Sequence, residues 1–393
     1  MDINEILKIA VKQGASDIHL KVGLPPVFRI DGSLFPLKNA NRSTPDDIIM
    51  MAESIMNKTQ VERLRNLSDI DLAYGVPGLG RFRVNVFQQR GTLGIVFRSI
   101  PVKINTIMEN LLPKVLEKIA LEPRGLILVT GTTGSGKSTT LASMIDHVNT
   151  NRTCHIITIE DPIEFLHRDK KSIINQREIG LDTLDFAAAL KSALRQDPDV
   201  ILVGEMRDFE TIETALTAAE TGHLVLSTLH TVDATETITR IISVFPPYQQ
   251  QQVRIQLAGI LKGVISQRLV PRADGKGRVP AVEVMVSTSL IRECISEKEK
   301  TKEIHDAISR GFTVHGMQTF DQSLMFLYRK GLISYEEALR QSTNPDDFAL
   351  RVKGISSTSD STWDQFDQNE VPEGEEEEGE GESGSDDIKI ERF

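Results

Sequence analysis

Long apolar runs are missing from this chain of 393 residues. None approaches the ~18 residues needed to span a bilayer, so no membrane span is expected. A basic leader is missing too. Met1-Asp2-Ile3-Asn4-Glu5 places acids where a secretory signal carries lysine or arginine. Cysteine is scarce: Cys154 and Cys294 are the only two, and they lie far apart. They form no metal-ligand spacing and no disulfide framework, which points to a reducing cytoplasm. Clustered positive charge is also absent. The net charge of −11 is unevenly spread. Residues 355–393 hold fourteen Asp/Glu against two Lys/Arg, and residues 1–354 hold 43 basic and 42 acidic groups. A near-neutral body without a basic stripe lacks the footprint of a nucleic-acid binder, so no such partner is expected.

Against these absences stands one stretch, Gly131-Thr132-Thr133-Gly134-Ser135-Gly136-Lys137-Ser138-Thr139. It fits the phosphate-loop pattern G-x-x-x-x-G-K-[ST]. Gly125–Thr130 ahead of it reads as a buried parallel strand. Thr139–Val148 behind it reads as a helix. A strand, a glycine loop and a helix N-terminus together make an anion site, because the glycines turn backbone N–H groups inward and the helix dipole adds positive charge. The nucleotide-binding residues expected are Thr133, Gly134, Ser135, Gly136, Lys137, Ser138 and Thr139. Lys137 reaches the β- and γ-phosphates of ATP, and the Ser138 hydroxyl ligates Mg²⁺.

The rest of the chain frames that loop. Residues 2–13 predict an amphipathic helix, and Gly14–Leu20 a turn followed by a strand. Pro25–Gly32 reads as an edge strand entering a hairpin. Thr44-Pro45-Asp46-Asp47 starts a helix: a cap residue, a proline, then acids. Asp69–Tyr74, Arg81–Phe87 and Gly94–Ile100 read as further strands. Residues 1–100 therefore predict a small α+β unit with an antiparallel sheet, and 101–113 a linker. From Gly125 to Pro271 strands alternate with helices, the α/β pattern of a covered parallel sheet. Thr183–Arg195 is one of those helices, with Leu184, Ala187, Ala188 and Leu194 as its apolar set. Residues 289–345 read as mostly helical. Residues 355–393 are acidic, glycine-rich and aperiodic, which predicts a disordered tail.

ATP hydrolysis needs acids to hold Mg²⁺ and orient water, and cations to neutralise developing charge. In parallel sheets such groups sit at the carboxyl ends of strands. Three predicted strand ends carry them: Glu160-Asp161 with Glu164, then Glu205, then His230. These set the expected catalytic groups Glu160, Glu164, Glu205 and His230, with Ser138, Asp161 and Glu205 as metal ligands. Gly204, not an acid, precedes Glu205, so Glu205 has to serve both the metal and the water.

These motifs resemble the secretion ATPase superfamily, and within it the PilT/PilU group of type IV pilus retraction ATPases. Thr158–Glu164 looks like that family's acidic box, Leu202–Asp208 its Walker B, and Ala218–Thr231 its histidine box. Gly14–Leu20 resembles its N-terminal signature. The likeness covers residues 1–350. It implies a ring hexamer whose chains carry a PAS-like α+β domain over residues 1–100. A RecA-like ATPase domain with C-terminal helices follows over 114–354. It implies that Arg83 and Arg98, with Arg81 a poorer match, reach the phosphates. It also implies mechanical work at the cytoplasmic face of the inner membrane, where the partners are a pilus platform protein and a paralogous retraction ATPase. Assembly-type relatives carry a four-cysteine zinc motif; this chain lacks one, so no zinc is expected. The retraction family's C-terminal signature is partly kept in Leu290–Glu297, with Ser296 where a second arginine stands. That leaves an accessory PilU-like paralogue as an alternative. From another class, the alternative is a nucleic-acid-translocating motor.

Overall fold

Two sheets organise the chain. The computed structural model describes residues 2–30 and 32–354; the predicted acidic tail lies outside the described residues. The first sheet uses β1 (Asp17–Lys21), β2 (Val27–Ile30), β3 (Ser33–Pro36), β4 (Asp69–Val76), β5 (Gly80–Gln89) and β6 (Thr92–Ile100). Its order is β3-β2-β1-β6-β5-β4, antiparallel throughout. Alternation sorts its faces. In β5, Phe82, Val84 and Val86 are buried while Arg83 is exposed. The helix Ile3–Lys12 adds Ile3, Ile6, Leu7 and Ala10 to the same core. Thr44 caps the helix Pro45–Ile55, accepting from the Asp47 N–H at 3.2 Å while Asp47 accepts from the Thr44 N–H at 2.8 Å.

The edge assignment needs correction. β2 pairs on both sides, and the edge strand beside it is β3. All four β3 residues are exposed, so no alternation marks it. The structure adds a helix, Lys58–Leu67, that the sequence pattern does not mark. It has a capping box between Asn57 and Gln60 but buries only Leu64, too little for a periodic signal.

The second sheet uses β7 (Gly125–Thr130), β8 (His155–Glu160), β9 (Ile173–Glu178), β10 (Val200–Val203), β11 (Leu224–Leu229), β12 (Leu261–Pro271) and β13 (Arg278–Val286). Its order is β13-β12-β7-β11-β10-β8-β9; all pairs are parallel except β12 with β13. Every residue of β7, β10 and β11 is buried, as expected where helices cover both faces. The helix predicted over Thr183–Arg195 spans Phe186–Ala193, capped by Asp185. Its buried residues are Ala189, Leu190 and Ala193, and Leu184 is 87% exposed. Leu184 precedes the Asp185 cap, so it continues the apolar period without belonging to the helix.

Residues 101–113 are fastened to this second unit. Ile107 and Leu112 are buried in the core beside β7, and Asn110 Nδ2 donates to Ser143 Oγ at 2.7 Å. The helices Phe320–Arg329, Tyr335–Gln341 and Pro345–Val352 pack a separate small core against β12 and β13. Among the described residues no helix is long and apolar enough to cross a membrane.

Candidate nucleotide site

The carboxyl ends of β7, β11, β10 and β8 lie side by side. The segments that follow them enclose a cleft of about 560 Å³. After β7 comes the phosphate loop. Gly134 and Gly136 have φ of +80° and +94°, which only glycine adopts without strain. Gly136 is also the N-cap of the helix Lys137–Asn151. At Gly131, φ is +138°, and a Cβ would meet Gln267 O at 2.4 Å and Ser135 Oγ at 2.6 Å. The loop thus closes onto β12 without room for a side chain.

Lys137 is buried, and its Nζ donates to Gly131 O at 2.8 Å and Thr132 O at 3.1 Å. Burial holds its pKa below the ordinary lysine value, against the pull of Glu205 and Glu164. Thr133, Gly134, Gly136, Lys137, Ser138 and Thr139 all line the cleft. Ser135 does not. It lines a second cavity of about 350 Å³ with Gln267 and Arg268, and its buried Oγ has no hydrogen-bond partner.

The predicted acids and the histidine converge on the same cleft: Glu160, Asp161, Glu164, Glu205 and His230. Glu205 Oε1 lies 2.6 Å from Arg207 Nε and 3.0 Å from His230 Nε2. Burial opposes its charge, but the Arg207 hydrogen bond and the charge of His230 outweigh that and hold its carboxyl below the ordinary range. Glu160 is the reverse case. Burial pushes its pKa up, although Thr158 Oγ1 donates to it at 2.6 Å and Gln176 Nε2 at 3.2 Å. Two groups from β11 support the turn bearing Glu205: Thr228 Oγ1 donates to Gly204 O at 2.7 Å, and the Met206 N–H to Thr228 O at 3.3 Å. That turn also explains Gly204. A Cβ there would lie 3.1 Å from Ile159 O and 3.4 Å from Glu160 Cα, so a side chain at this position would crowd the end of β8.

Arg83 and Arg98 do not line the cleft of their own chain. They are register partners on the exposed face of β5 and β6. Arg81 turns elsewhere and pairs with Glu178 at 3.4 Å, bridging the first sheet to the second. Sequence reading missed Arg207, Arg278, His167, Phe165 and Phe186, all cleft-lining. Arg207 could have been found, two residues beyond Glu205; nothing in the pattern marks Arg278. Burial lowers the His167 pKa to about 4, so this ring is neutral at neutral pH.

The donor set fits a nucleotide and a hard cation. A lysine held only by backbone carbonyls, at a glycine loop that opens a helix N-terminus, suits phosphate oxygens. Among the described residues no three or more His, Cys, Asp or Glu form a metal cage. Mg²⁺ needs none, since it keeps waters and takes one or two carboxylates plus phosphate oxygens.

The type II/IV secretion system protein family profile matches residues 1–340. The chain is similar to the type IV pilus retraction ATPase PilT of Pseudomonas aeruginosa, 49% identical over 348 residues, covering 88% of this chain and 100% of that protein. It is 42% identical to the type IV pilus ATPase PilU of the same organism, covering 92% and 93%. Among solved structures it is similar to the pilus retraction motor PilT with bound ADP, at 50% identity and a TM-score of 0.81, covering 88% of this chain and 98% of that one.

Proposed function

The chain belongs to the type II/IV secretion system protein family, and we propose that it is an ATP-hydrolysing motor that retracts a type IV pilus and so powers twitching motility. The observation that carries this reading is the convergence in one cleft of the phosphate loop after β7, the acids after β8 and β10, and His230 after β11. The identity to PilT, higher than to PilU, favours the principal motor over the accessory paralogue.

The residues divide the work as follows. Loop N–H groups of Thr133, Gly134 and Gly136 to Thr139 take phosphate oxygens, and Lys137 exchanges the carbonyls of Gly131 and Thr132 for them. Glu205, kept ionised by Arg207 and His230, orients the attacking water and accepts its proton. Glu160 and Glu164 complete the acidic wall. Ser138, Asp161 and Glu205 would hold Mg²⁺, which when bound neutralises phosphate charge. The motor works as a homohexamer at the cytoplasmic face of the inner membrane, against a pilus platform protein. In the ring, Arg83 and Arg98 serve the phosphates of a neighbouring subunit. Deleting the gene tests the reading. Surplus surface pili without twitching is the expected result; loss of pili would mean an assembly motor instead.

A further inference from the structure

A buried carboxylate on β13 stands outside the cleft. Glu283, on β13, is 3% exposed, and its Oε1 accepts from the backbone N–H of Ala234 at 2.9 Å. Ala234 opens the helix Ala234–Ser243, just beyond His230. Apart from the contact of His230 with Glu205, the other side-chain bonds of that loop run to its own helix. Asp233 Oδ1 accepts from the Glu236 N–H at 2.7 Å, Glu236 Oε2 from the Val232 N–H at 2.8 Å, and the Thr231 and Thr237 hydroxyls meet at 2.6 Å. The Glu283 bond instead reaches the sheet. In strand register Glu283 faces Ser266. Thr130 Oγ1, the residue before Gly131, donates to Ser266 Oγ at 3.0 Å. The His230 loop and the phosphate loop are therefore anchored to facing residues of one strand pair.

We propose that Glu283 is a positioning residue for hydrolysis: through Ala234 it fixes the loop that sets His230 against Glu205, in register with the phosphate loop. This rests on the hydrolytic reading of Glu205 and His230 given above.

The charge state of Glu283 makes the idea testable. Burial pushes its carboxyl up to about 7. The Ala234 N–H opposes that rise, Asp233 at the helix start adds to it, Arg268 on β12 opposes it, and Asp321 on the helix Phe320–Arg329 adds to it. As pH rises through 7 the group ionises, and its bond to Ala234 becomes charge-assisted and stronger. The sign for folding is opposite. A raised acid pKa means stability is fully present at low pH and is lost as the buried group ionises.

Glu283→Gln keeps the size and an acceptor oxygen but removes the charge. The experiment follows ATPase kcat and KM of the full chain from pH 6 to 8.5, with Tm at pH 8. The variant's kcat at pH 8 should fall about five- to tenfold, the difference between a charge-assisted and a neutral hydrogen bond. KM should stay unchanged, the two pH profiles should converge by pH 6, and Tm at pH 8 should be equal or higher. An unchanged kcat at pH 8, a loss of equal size at pH 6, or a lowered Tm at pH 8 overturns the proposal. A wild-type protein that hydrolyses no ATP would instead overturn the motor reading itself.

Discussion

Arg98 Nε donates to Asp17 Oδ1 at 2.9 Å, and the pair belongs to a row crossing four strands. Arg29 on β2, Asp17 on β1, Arg98 on β6 and Arg83 on β5 are successive register partners. Burial opposes the charge of Asp17, but hydrogen bonds from Arg98 and Ser16 outweigh it and hold the carboxyl below its ordinary value. Arg29 approaches the same carboxylate at 3.7 Å. One acid thus serves two guanidinium groups. Arg83, directly opposite Arg98, feels the charge of Glu178, the acid that pairs with Arg81. Like charges facing across a strand pair repel, and Asp17 and Glu178 offset that repulsion here. Arg83 and Arg98 of this row lie outside their own chain's cleft.

Lys137→Ala should abolish hydrolysis and weaken nucleotide binding. Lys137 is the only charged side chain in the loop, and its ammonium is held by carbonyls it can leave. Turnover and fluorescent-nucleotide titration check this. Normal turnover would reject the phosphate-loop assignment.

Gly131→Ala should leave the fold intact by circular dichroism yet lower nucleotide affinity about tenfold or more, from backbone strain of a few kcal/mol. The added Cβ meets a backbone oxygen at 2.4 Å, and backbone gives way less readily than a side chain. Wild-type affinity would show slack in the loop.

Glu205→Gln should retain ATP binding and slow turnover by ~10²–10⁴, because an amide cannot accept the water's proton. Equilibrium binding and single-turnover hydrolysis separate the two effects. Loss of binding would make the residue structural.

The nucleotide site was more legible in sequence than the frame around it. The phosphate loop, Glu205 and His230 follow strands whose residues are all buried, and the apolar stretches Leu126–Val129, Val200–Val203 and Leu224–Leu226 stand close ahead of the chemistry. The β3 strand has no buried face, and the helix Lys58–Leu67 buries one side chain, so periodicity is silent for both. Leu184 misled because an apolar residue before a cap mimics a helix face, though it is 87% exposed. Glu283 left no pattern at all. Its role depends on Ala234, 49 residues earlier in the chain, and on a strand register that only the folded sheet defines.

The last prediction concerns the ring. If Arg83 and Arg98 act on a neighbour's phosphates, a single chain holds only part of its active site. Charge stabilisation by such arginines is worth ~10³–10⁵ in rate where it has been measured. Lysine should replace them poorly, because it lacks the planar fork that grips phosphate oxygens. Chains carrying Arg83→Ala and Arg98→Ala should be inactive alone, and so should chains carrying Lys137→Ala. In mixed rings some interfaces pair an intact phosphate loop with intact arginines, so part of the activity should return. The recovery should be well below wild type, since a ring with dead interfaces cannot pass its conformational change around the circle. Mixed rings verified by mass that show no recovered hydrolysis would count against catalysis across a single interface. Full activity of the double arginine variant alone would reject the role outright, and would leave the charged row on β1, β2, β5 and β6 as a surface for some other anion.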